Sequence, residues 1–143
     1  MFNFTQEDAI VDIKPAQYGY FGGPGKMLLP CPATVAALIR EVPEHKLITT
    51  DLLRKVLAER RQVRGTCPVT TRKALQAIAA GAASGAEPGV AYWRVVKQDG
   101  TLIDQYPGGV EGHAALLRKE GFAIEGSGKK ARVVKYKDAL VIY

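Results

Sequence analysis

Glycine and proline punctuate this chain so regularly that every regular element between them must be short. The cluster "YGYFGGPGK" (18–26) closes an irregular first stretch, and Pro32, Pro43, Gly65, Pro68 and Gly81 follow. Next come "GAASGAEPG" (81–89), Asp99-Gly100, "YPGG" (106–109) and Gly121. Proline cannot donate to a helix or sheet ladder, and glycine supplies turns, so these positions bracket the elements. From Pro32, Val35, Leu38, Ile39 and Val42 recur at helical spacing, proline suits the first turn, and Pro43 closes the helix. In "KLITTDLLRKVLAERR", Thr49 or Thr50 can cap a second helix with Asp51 in its first turn. Leu52, Leu53, Val56 and Leu57 form its apolar stripe, among Arg54, Lys55, Arg60 and Arg61. "RGTCPVTTRKALQAIAAG" turns at Gly65 and Pro68 into a third, Ala- and Leu-rich helix ending at Gly81. Two helices joined by a Gly/Pro connection, the second opening "TTRK", make a candidate helix-turn-helix.

The remainder is less helical. Residues 81–89 read as a flexible loop, "VAYWRVV" (90–96) as a short strand or extended segment, and "KQDGT" as a tight turn. "VEGHAALLRKEG" (110–121) is a helix with Val110, Ala114 and Leu117 on one face, stopped by Gly121. The tail 122–143 alternates β-favouring residues with turn signals and predicts two or three short strands. The expected architecture is a small α/β (α+β) domain: an N-terminal extension or loop over 1–26, then one domain over 27–143. At 143 residues the chain can bury a proper core.

No window approaches eighteen uninterrupted apolar residues, and "MFNFTQEDAI" lacks a basic-then-apolar leader layout, so a cytoplasmic protein without membrane attachment is expected. Cys31 and Cys67 make no disulfide framework, and with only His45 and His113 beside them no metal or cofactor is expected. Both histidines lack a paired acid at useful spacing and read as surface residues. The formal charge of +6 is concentrated: residues 40–73 hold nine Lys/Arg against four acids, and 118–137 hold seven against two. Basic charge gathered in two segments suits a polyanion, because neutralising phosphates releases counterions.

The segment from about Lys46 to Phe122 carries four ordered landmarks: "TTRKALQAI", "AYWRVV", "DGTLIDQYPGG" and "LLRKEG". In these it resembles the DNA-binding domain of the O6-alkylguanine-DNA alkyltransferases, which place a recognition helix, a Pro-Cys-His-Arg-Val motif, an Asp-Gly then Gly-Gly segment and a helix ending in Glu-Gly in the same order. The resemblance implies a winged helix-turn-helix fold. The departures decide the chemistry. Tyr92 stands at the cysteine position and Trp93 at the histidine position, while Glu120 keeps the family's glutamate without a histidine to orient. Alkyl transfer needs an activated thiolate, so no methyl transfer and no enzyme activity is expected at this site. The pattern is similar to the alkyltransferase-like proteins, which lack the acceptor cysteine, and the segments "GKMLLPCP" and beyond Gly121 mark a divergent branch.

The resemblance assigns Arg72 as a finger entering the duplex in place of an extruded base, a role that suits its planar guanidinium. Thr70, Thr71 and Lys73 sit at the helix N-terminus, where N–H groups and hydroxyls contact phosphate or simply cap the helix. Thr50 falls where the family has a tyrosine that helps rotate the target phosphate. Tyr92 and Trp93 line the base pocket, or Trp93 is instead a core plug. Arg94 matches the motif arginine and bridges turns near the pocket, and Tyr106, Gly108 and Gly109 form a loop that closes over a base.

The expected function is non-catalytic recognition of alkylated guanine by nucleotide flipping, linked to DNA repair. Double-stranded DNA is the partner, with a possible repair protein beside it, and the chain acts as a monomer associated with the nucleoid when bound. The alternative is a protein-interaction or scaffold module that keeps the fold with weak, non-specific DNA binding. A third reading, an enzyme using Cys67 or Glu120, fits the landmarks less well.

Overall fold

The computed structural model describes residues 7–84 and 90–141. Of the predicted loop 81–89, residues 81–84 instead continue the third helix, and 85–89 lie outside the described residues, as do 1–6 and 142–143. The described residues form a small mixed α/β domain of five helices, four 3-10 turns and short strands.

Three of the helices begin and end where sequence chemistry places them. Cys31 is extended ahead of Pro32, which opens α2 (Pro32–Glu41), and Val42 is extended ahead of Pro43, which ends it. Thr49 is extended at the entry to α3 (Thr50–Arg60), with Asp51 in the positive first turn. α4 (Pro68–Ser84) packs against α2, and Gly121 with φ 99° follows α5 (Gly109–Lys119). Val35, Leu38, Ile39, Leu53, Leu57, Leu75 and Ile78 meet in the main core. Each fully buried aliphatic side chain there contributes about 1.5–3 kcal/mol.

The N-terminal stretch is not irregular. β1 (Ala9–Asp12) pairs antiparallel with β2 (Lys26–Leu29), which pairs in parallel with β4 (Gly65–Thr66). Between β1 and β2 lie the 3-10 turn Pro15–Gln17 and the single-turn α1 (Tyr18–Phe21). Four residues of "AIVD" have little local signal, and their order comes from partners 14 to 20 positions away. The extension is thereby stitched into the connection between α3 and α4. That connection, residues 61–67, is longer than the turn of about three or four residues in a minimal helix-turn-helix.

The segment "YWRVV" is a 3-10 turn (Tyr92–Arg94) followed by the two-residue β5 (Val95–Val96), which pairs in parallel with β3 (Ile48–Thr49). The tail forms the hairpin β6 (Ile124–Glu125) and β7 (Arg132–Val133). A second core of Leu47, Val96, Leu102, Ala114, Leu117 and Val133 sits here, and Trp93 packs against both cores. Among the described residues no helix is long and apolar enough to cross a membrane.

Candidate nucleic-acid interface

A cleft of about 200 Å³ opens where three segments converge. Thr50 and Arg54 come from the first turns of α3, and Thr71, Arg72 and Gln76 from α4. Lys97, Gln105 and Tyr106 come from the segment after β5, and Pro68, Leu75 and Ile103 complete an apolar floor. Three cations line this space and no carboxylate does. The volume lies below the about 300–1,000 Å³ of drug-sized sites and suits a single heterocycle. Arg72 is exposed and has no carboxylate partner among the described residues.

Thr50, Thr71, Arg72 and Tyr106, all assigned in advance, meet in this cleft. Thr71 is only 1 % exposed and its hydroxyl donates to the Cys67 carbonyl at 2.7 Å, so it serves the helix start. The Thr70 hydroxyl turns to Cys67 Sγ at 3.4 Å, and Lys73 is exposed. Gly108 and Gly109, with φ of 81° and 67°, form the turn into α5 and do not line the cleft. Arg54, Gln76, Lys97 and Gln105 were missed. Arg54 lies four residues after Thr50 and Gln76 four after Arg72, the spacing of one helix face, so that signal was present.

Behind the cleft stands an aromatic wall. Tyr92 is 5 % exposed and belongs to the main core, edge-on to Trp93 at 5.5 Å and to Tyr106 at 4.9 Å. Burial raises its phenol above the ordinary value, keeping the hydroxyl protonated. The Tyr106 hydroxyl donates to the Tyr92 carbonyl at 3.1 Å. His113, expected at the surface, is fully buried at 0 % exposure, because Val110, His113, Ala114 and Leu117 share the inward face of α5. Its Nδ1 accepts the Ile103 N–H at 3.0 Å, which assigns the proton to Nε2, donated to the Trp93 carbonyl at 2.8 Å. Burial lowers its pKa to about 4, against the smaller opposing effect of the Trp93 carbonyl.

Glu120 gathers the motif residues from beneath. Its carboxylate accepts Trp93 Nε1 at 2.8 Å, Arg94 Nε at 2.9 Å and the His45 backbone N–H at 2.9 Å. Burial pushes this carboxyl up, but the bonds from Arg94, Trp93 and His45 and the Arg94 charge outweigh it and hold it below the usual range. Arg94 also donates Nη1 to the Val42 carbonyl at 2.8 Å, fastening the 3-10 turn to the end of α2. His45 is exposed, with positive φ, and its ring Nδ1 lies 2.8 Å from the Glu120 carbonyl.

Set against protein-family models, characterised proteins and solved structures, the chain matches none.

Proposed function

We propose that the protein is a non-catalytic DNA-binding module, with α3 and α4 acting as a helix-turn-helix pair and the β6–β7 hairpin as its wing. The carrying observation is the cleft itself: Arg54, Arg72 and Lys97 converge there without an opposing acid. Duplex phosphates run past the first turn of α4, whose N–H groups add to the cations. Arg72 enters the stack, and the displaced base lies against Tyr106 with Gln76 and Gln105 at its polar edge. Leu75, Ile103 and Pro68 offer an apolar surface suited to an added alkyl group on guanine. The Glu120 carboxylate is engaged by Trp93, Arg94 and His45, and the Tyr92 phenol is buried and protonated, so recognition proceeds without turnover.

A scaffold role is favoured by one observation: Tyr92, at the position of the family's reactive residue, is packed into the core rather than the cleft. The two readings separate by fluorescence anisotropy on matched duplexes, with and without one O6-methylguanine, at two salt concentrations. The DNA reading expects tighter binding to the modified duplex, lost in Arg72→Ala, with the salt slope reduced by about one. Equal, weak binding to both duplexes that Arg72→Ala leaves unchanged refutes it.

A further inference from the structure

We infer that a second groove, beside the cleft and built by the N-terminal arm, receives an unpaired nucleotide of a single-stranded DNA segment continuing from the bound duplex. This rests on the DNA-binding reading above. The groove, about 410 Å³, runs between α1 and the adjacent flank of α3. Thr50 and Arg54 line the cleft, whereas Asp51, Arg54, Lys55, Ala58 and Glu59 line the groove. Arg54 therefore belongs to both, and a strand leaving the cleft meets the groove across one guanidinium.

Tyr20 is the feature that needs an occupant. It lines the groove and is 61 % exposed, the most exposed large hydrophobic among the described residues. The arm that carries it is tied down. Phe21 sits edge-on to it at 4.8 Å, and a Cβ built on Gly65 would lie 2.5 Å from the Phe21 ring, so the glycine is what lets Phe21 seat. Arg64 Nε donates to the Pro24 carbonyl at 2.7 Å, and β2 pairs with β4, closing the arm onto the α3–α4 connection. An exposed ring beside a basic groove is the arrangement that stacks an unpaired base while cations follow the backbone. A duplex base offers no free face to it.

The charge is suited to a phosphate chain. Arg54, Lys55 and Arg64 line the groove against Asp51 and Glu59, leaving a net positive lining. Lys55 and Arg64 are both exposed.

The test uses the full chain and three fluorescent probes: a blunt duplex, the same duplex with a short single-stranded extension, and an oligothymidine. Anisotropy is read for the wild type, Tyr20→Ala, Tyr20→Trp and Arg72→Ala. The extended duplex is expected to bind more tightly than the blunt one. Tyr20→Ala should abolish that advantage, a loss of about fivefold to a hundredfold from one stacked base, while leaving blunt-duplex affinity unchanged. Tyr20→Trp should retain it. Equal affinity for blunt and extended duplexes, with binding still sensitive to Arg72→Ala, overturns the groove and leaves the cleft standing. Loss of all duplex binding overturns the cleft, and the oligothymidine then decides the groove: binding lost in Tyr20→Ala keeps it, and no binding removes it.

Discussion

Mild acid should loosen this fold through a single imidazole. His113 is fully buried, neutral, and fixed between the Ile103 N–H and the Trp93 carbonyl. Protonating Nδ1 would place a donor against the Ile103 donor and leave a charge among apolar neighbours. Burial depresses the folded pKa to about 4 from an ordinary 6.5. The unfolded chain then binds the extra proton throughout that interval, so stability is full above about pH 6.5 and falls as the pH drops toward 4. Each pKa unit is about 1.4 kcal/mol, which gives a loss of about 2 kcal/mol between pH 7 and pH 5. For a domain of this size that is a fall in Tm of about 6–10 °C. The partly buried acids act elsewhere. Glu120 and Asp8 have depressed values, and their contributions disappear only below the ordinary carboxylate range. Urea unfolding followed by the fluorescence of Trp93, the one tryptophan, reads the change directly. The control is His113→Gln, whose amide can accept from Ile103 and donate to Trp93 without titrating near neutrality. Whatever its stability at pH 7, that variant should show a flat profile from pH 7 to 5. An equal slope in both proteins would falsify the assignment.

Gly100 has φ 83° and a Cβ there would clash with the Tyr136 ring, so Gly100→Ala should cost about 1–3 kcal/mol, measured as a shift in urea midpoint at constant m. Glu120→Ala strands the Arg94 guanidinium, whose side chain is 16 % exposed, and should cost about 2–4 kcal/mol by the same assay. Glu120→Gln, which keeps acceptor capacity, should recover part of that loss.

Three of the helices were legible from end to end because local chemistry decides them. Pro32 and Pro43 bracket α2, Thr49 and Asp51 open α3, and the apolar rows at 53, 56 and 57 and at 110, 114 and 117 already describe buried faces. His113 lies on the last of these rows, and its burial was available to the same argument; polarity hid it. The N-terminal arm was not legible, since Ala9 finds its partner at Leu29 and Met27 finds Gly65, pairings that no local pattern encodes. The cleft was half legible. Arg72 and Thr50 came from resemblance and Arg54 and Gln76 were within reach of helical spacing, but Lys97 and Gln105 sit on a loop whose path the tertiary fold alone determines.

One pairing bears on how the chain reaches this state. Leu47 donates its N–H to the Ala139 carbonyl and accepts from the Val141 N–H, so the second core is closed by residues nearly a hundred positions apart. Loop closure of that span must precede its reward. On the ribosome, where roughly 5–20 residues emerge each second, Leu47 must wait about five to twenty seconds for its partners. During that interval α2 and α4 can pack on each other, while Leu47 stays uncovered as apolar surface open to a chaperone.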